Sequence, residues 1–212
     1  LLERQEVKHN PVNGVRRPSM SSQEGKTPAI SDEMARRLLE APEPHNLKGK
    51  RDRAILSVLM FHGLRREELC SLNVGDIQLR RGVAYLVVTG KGGKIRYLPL
   101  HPGAATRIAD YLDQAGHVKD LAGPLFRPVR KGGKSDITKR LTADGVYCCV
   151  VKYYGHQAEL NVPGFFFFFL RATAETNALE NNADIAKVQE WLGHANISTT
   201  RLYDRRATRP ED

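Results

Sequence analysis

Cysteine is scarce: Cys70, Cys148 and Cys149 are the only three in 212 residues. The count is odd and two of them are adjacent, which suits neither a disulfide framework nor a zinc site and fits a reducing cytosol. Long apolar runs are missing too. The longest, Val162 to Leu170, stops far short of the roughly 20 residues that span a bilayer, and no secretory signal opens the chain, so no membrane contact is expected. No internal repeat is present. Acidic residues are the minority: 33 Lys and Arg against 24 Asp and Glu leave a net charge of +9. The pI is near 9.6, the electrostatic footprint of a polyanion binder.

What is present is enough apolar residue, 41%, for one substantial core. Residues 1–25 are polar and basic, with Pro11 and Pro18, and read as a linker. Its abrupt start leads us to expect a further segment before it. From Lys26 the pattern turns helical. Ser31 is placed to cap a helix to about Glu40, and Arg51 to His62 follows with Ala54, Ile55, Val58 and Leu59 on one face. A short helix is expected over Arg66 to Leu72. Val83 to Val88 and Lys94 to Leu98 read as a hairpin with a basic, glycine-rich tip, Ile95 and Tyr97 lying opposite Arg96. Helices are then expected over Gly103 to Gln114, Ala143 to Tyr154, Leu170 to Leu179, Asp184 to Leu192 and Thr199 to about Arg205. The fold class is α+β, mostly helical with a small antiparallel sheet in the N-terminal half. Phe165 to Phe169, five consecutive aromatics, fit neither helical nor strand periodicity.

Five short motifs succeed one another: Gly63-Leu64-Arg65-Arg66-Glu67-Glu68-Leu69, Thr89-Gly90-Lys91-Gly92-Gly93-Lys94, Leu170-Arg171, Leu192-Gly193-His194, and Thr199-Thr200-Arg201-Leu202-Tyr203. Each is weak alone. Their order, with 23 residues from Arg171 to His194 and nine more to Tyr203, closely resembles the catalytic domain of the tyrosine recombinase, or phage integrase, family. The resemblance covers most of the chain, assigns residues 26–212 to that domain and implies an upstream DNA-binding domain, of which residues 1–25 are the linker or remnant. It implies a site-specific recombinase or integrase that cuts and rejoins double-stranded DNA through a 3′-phosphotyrosine. It places the nucleophile on Tyr203, catalytic residues on Arg65, Arg171, Lys91 and His194, and a supporting acid on Glu68. It further implies no metal, no ATP or other cofactor, a homo-oligomer, in particular a tetramer, on DNA, and a cytoplasmic, nucleoid-associated location.

The residue types suit that chemistry. Attack on a phosphodiester builds charge on the non-bridging oxygens, and a guanidinium offers a permanently charged planar fork to two of them. Lys91 on a glycine-flanked tip suits a general acid for the departing 5′-oxygen, with Lys94 as its competitor. One departure stands out. The box that reads His-x-x-Arg in the family has Phe168 three residues before Arg171, and His156 lies 15 residues before it. The alternative reading is therefore a catalytically impaired, DNA-binding member of the family. A type IB topoisomerase shares the chemistry but usually lacks this compact order of motifs. Tyr97, Tyr111, Tyr153 and Tyr154 are expected as buried tyrosines with satisfied hydroxyls, Trp191 as core, and Arg127, Arg130, Lys131 and Lys134 as a solvated basic loop able to meet phosphates.

Overall fold

The computed structural model describes residues 28–130, 139–160 and 167–204. The expected linker, Lys131, Lys134, Phe165 and Phe166 lie outside them.

Helix α1, Asp32–Glu40, starts where the Ser31 hydroxyl accepts a bond from the Met34 amide. Helix α2, Leu47–His62, begins four residues before the expected Arg51, because the Asn46 side chain caps it through the Gly49 amide and its first turn is polar. Its apolar face is also wider than the sequence pattern indicates. Leu56 and Met60 are buried along with Ala54, Ile55, Val58 and Leu59, since α2 is packed by α1, α4 and α7 and, within it, only Lys48 is exposed. Short α3, Arg66–Ser71, follows.

The sheet has three strands, not two: β1, Ile77–Arg80, pairs with β2, Val83–Thr89, which pairs with β3, Ile95–Pro99, all antiparallel. The four residues of β1 are too few to display a period. Arg81 and Gly82, both with positive φ, form the two-residue turn that joins β1 to β2. In β3 the side chains point opposite to the naive reading of the alternation. Arg96 and Leu98 are buried, whereas Ile95 and Tyr97 are exposed. Arg96 faces inward because a carboxylate waits for it there, and a one-residue slip would reverse every side chain of the strand.

Helix α4, Pro102–Ala115, lies against α2. After it, α5 (Ala143–Val146), a π-helical turn (Tyr147–Lys152) and α6 (Tyr153–Gln157) form one continuous helical stretch. Then come α7, Phe167–Glu180, α8, Ile185–Leu192, and α9, Ile197–Arg201, the last two capped by Asp184 and Asn196. The phenylalanine run is partly explained: Phe167 and Phe169 enter the core within α7, and Phe168 is 69% exposed.

Two expectations need correcting. Tyr111 and Tyr154 are buried, and their hydroxyls bond the Arg127 amide and the Asp52 carboxylate, but Tyr97 and Tyr153 are about half exposed. Arg127 is no solvated loop residue. It is buried and pairs with Asp120 while donating to the Pro124 carbonyl, a structural tie that removes it from any phosphate-binding surface.

Candidate active site

Three helix ends and one strand meet at a single place. The α2 helix ends on Gly63 and α8 on Gly193, both left-handed (φ 58° and 66°), the conformation that lets a chain leave a helix sharply. Both positions also require the missing side chain. A Cβ on Gly63 would lie 2.8 Å from Leu192, and one on Gly193 would collide with the Arg96 guanidinium.

The last carbonyls of a helix have no intrahelical partner and carry its negative dipole end. Here two arginines supply the donors. Arg171, in the second turn of α7, donates to the Gly63 carbonyl and, at 2.7 Å, to the Leu192 carbonyl. Arg65, just before α3, donates at 3.0 Å to the Gly193 carbonyl and at 2.8 Å to Glu68 Oε1. Each guanidinium has five N–H donors in a rigid fork, so these bonds fix its plane and leave further donors. The structure thus brings together Arg65, Arg171 and His194 from three distant parts of the chain.

Glu68 is buried beneath them. Its Oε2 accepts from the Arg65 amide at 2.9 Å and lies 2.9 Å from Arg96 Nη2. The second contact is an ion pair without hydrogen-bond angles, since Arg96 Nε and Nη2 have no hydrogen-bond partner. Burial opposes ionisation of Glu68. The Arg65 amide together with the Arg96 and Arg65 guanidiniums outweighs it and holds the carboxyl below the usual carboxylate range. Arg96 was not singled out as a site residue by its sequence, because a lone arginine in a strand reads as solvent-facing.

Arg171 is pushed down to about 10 by burial and by Arg65, and so remains charged at neutral pH. His194 is pushed down to about 4, by burial first and then by Arg171, Arg65 and Arg96. It is a neutral imidazole at pH 7 and not a helix-end cation. Its Nδ1 lies 2.9 Å from the Thr200 hydroxyl and 3.6 Å from Glu175 Oε1. Glu175, one turn after Arg171 on α7, is 1% exposed and raised to about 8 by burial, against the opposing pull of Arg171 and a bond from Thr200. It is a second residue that sequence reading missed.

Tyr203 follows α9, its amide bonded to the Thr200 carbonyl at 3.1 Å. Its ring packs half-buried on the cluster of Leu179, Val188 and Leu192. Trp191 packs between that cluster and the main core, as expected of a core residue. Lys91 and Lys94 are exposed in the β2–β3 turn, whose Gly90 touches Glu68: a Cβ there would stand 3.3 Å from the carboxylate. The turn therefore rises beside the arginines. Phe168 lies one turn before Arg171 on α7, exposed. Three guanidiniums around one ionised carboxylate make an anion-binding centre by charge count alone. Among the described residues no group of three or more His, Cys, Asp or Glu is placed to hold a metal ion, and no helix is long and apolar enough to cross a membrane.

Comparison with known proteins gives the family. The model of the phage integrase family matches residues 29–209. Tyrosine recombinase XerC of Pelobacter propionicus is 36% identical over 207 residues, covering 96% of this chain and 63% of the relative. Tyrosine recombinase XerD of Vibrio vulnificus is 34% identical over 181 residues, covering 84% of this chain and 56% of the relative. Among solved structures, XerA recombinase superposes with a TM-score of 0.65 at 26% identity, covering 86% of this chain and 66% of its own. XerH site-specific recombinase, bound to its difH substrate in a pre-cleavage complex, gives 0.67 at 25% identity, covering 89% and 56%. The chain spans less than two thirds of the length of these curated relatives.

Proposed function

The chain belongs to the phage integrase family of tyrosine recombinases, and from that premise we propose that it breaks and rejoins duplex DNA at a specific site with Tyr203 as nucleophile. The observation that supports this reading best is the pair Arg65 and Arg171, each anchored to a helix-terminal carbonyl and each with donors to spare for one phosphate.

Attack of the Tyr203 phenol oxygen on phosphorus, with the phenol proton passing to solvent, forms a 3′-phosphotyrosyl bond and breaks the bond to the 5′-oxygen, which takes a proton from Lys91. Arg65 and Arg171 hold the non-bridging oxygens as charge grows there, and His194 lies against the same centre. The phosphotyrosine keeps the energy of the broken bond for rejoining, so the reaction needs neither ATP nor a metal. Glu68 supports the centre by fixing Arg65 and Arg96. The DNA-bound species is a homotetramer in the cytoplasm, at the nucleoid, in which two duplexes exchange strands.

A second reading, a DNA-binding member with impaired cleavage, is favoured by Phe168. It stands exposed beside Arg171 where the family has a histidine, and a phenyl ring can neither take the phenol proton nor donate a hydrogen bond. Loss of one acid-base partner slows such reactions by about 10² to 10⁴. The test uses a pool of singly nicked duplexes with randomised arms, which trap the covalent intermediate because the cut end diffuses away. A covalent protein–DNA band on a denaturing gel, absent for Tyr203→Phe and stronger for Phe168→His, is expected. No band from either Tyr203-bearing protein, despite retention of the DNA, would leave the non-catalytic reading.

A further inference from the structure

We infer that Glu175 and Thr200 are positioning residues that set which ring nitrogen of His194 carries the proton. The inference rests on the function proposed above for its consequence, but not for its chemistry, which belongs to the protein without DNA.

The geometry is a chain of three groups from three elements. Glu175 is on α7, His194 follows α8, and Thr200 is on α9. The Thr200 hydroxyl meets His194 Nδ1 at 2.9 Å on one side and the Glu175 carboxyl on the other, while Glu175 Oε1, 3.6 Å from the same Nδ1, has no hydrogen-bond partner. Glu175 and Thr200 are closed to solvent, whereas the His194 side chain keeps 8% exposure. Water is therefore not at hand to replace a missing donor.

A hydroxyl has one proton to give, so Thr200 donates either to Glu175 or to His194. When Glu175 is ionised, the charge-assisted bond from Thr200 to the carboxylate wins, and Thr200 accepts from Nδ1–H of the imidazole. A neutral imidazole has only one N–H, so Nε2 is then a bare acceptor. When Glu175 carries a proton, it donates to Thr200, Thr200 donates to Nδ1, and the imidazole proton sits on Nε2. Only the second arrangement offers an N–H from Nε2 to a phosphate oxygen. No proton enters or leaves the imidazole on balance. The carboxyl gains or loses one, and the imidazole proton moves from one nitrogen to the other through solvent.

The groups that face Glu175 are Arg171 on its own helix, Thr200 from α9 and His194 from the turn after α8. Arg65 and Arg96 act on His194 from the α3 start and β3. These cations oppose a charged imidazole, which leaves the two neutral tautomers as the competing states at neutral pH. Burial of Glu175 puts the exchange near pH 8.

The test is the ¹⁵N spectrum of histidine-labelled protein without DNA, with His194 assigned through its absence in His194→Asn. In the wild type the His194 signals should show Nε2–H below about pH 8 and Nδ1–H above it. Glu175→Gln and Thr200→Val should abolish the pH response, and Thr200→Ser, which keeps the hydroxyl, should restore it. A wild-type tautomer that does not change across this range, or a Thr200→Val protein that still switches, would overturn the inference. Cleavage of trapped substrate should fall with the same midpoint in the wild type and lose that dependence in Glu175→Gln. If the spectra switch as described but no DNA is cut, the recombinase reading fails and the relay stands.

Discussion

At the scale of single residues, the two arginines differ from lysine in a way that the structure makes specific. Arg171 uses separate nitrogens for the Gly63 and Leu192 carbonyls, and a phosphate needs the rest of the fork. An ammonium at the end of a flexible stem cannot hold two helix ends and present a planar pair of donors at once. Arg171→Lys should therefore reduce the single-turnover cleavage rate by about 10² or more, as loss of one preorganised donor does elsewhere, with much less change in DNA retention. Equal losses in retention and cleavage would mean that Arg171 serves binding alone. The residues legible in the sequence are those that sit in short motifs: Arg65, Arg171 and His194, which lie together in the structure. Arg96 and Glu175 were illegible for a common reason. Each is a charged residue whose local pattern does not mark it as buried, and each is inside only because another element brings it a partner.

At the scale of elements, the site depends on how two helices end. Gly193 and Gly116 have nearly the same backbone, with φ of 66° and 70°, yet a Cβ on Gly116 meets nothing within 4 Å while one on Gly193 strikes Arg96. Placing alanine in the left-handed region costs roughly 1 to 2 kcal/mol by itself. Gly116→Ala should show that penalty alone in urea unfolding. Gly193→Ala should show more and should also disturb the Arg96–Glu68 pair, since Arg96 must move aside. Equal destabilisation by the two would mean that Arg96 yields without resistance. Strong caps and long amphipathic patterns located α1, α4 and α8 closely. The start of α2 was hidden behind a polar first turn, β1 was too short to show a period, and the inward face of β3 was set by Glu68 rather than by its own apolar residues.

At the scale of the whole molecule, stability should depend on pH in two opposed ways. His62 and His194 are both held neutral, near 4, against an ordinary value of 6.5. The unfolded chain thus binds more protons than the folded one between these values, and stability falls as the pH drops through them. Glu175 works in the other direction. Raised from 4.5 to about 8, it is protonated in the fold when the unfolded chain has already released its proton, so stability declines as pH rises towards 8 and levels off above it. Together these predict a maximum near pH 6.5, read from thermal unfolding across pH. Glu175→Gln should remove the decline on the alkaline side and raise the melting temperature at neutral pH. A wild type whose stability climbs steadily from pH 6.5 to 8 would contradict a buried, protonated Glu175.

The central claim is that the arginine-lined centre breaks DNA through Tyr203, and the most direct measurement is the identity of the residue joined to DNA. The trapped protein–DNA adduct, digested with nuclease and protease and read by mass spectrometry, should carry its nucleotide remnant on the peptide that contains Tyr203, attached through a 3′-phosphate. A remnant on any other tyrosine, such as the exposed Tyr97 or Tyr153, or one attached through a 5′-phosphate, would contradict the account.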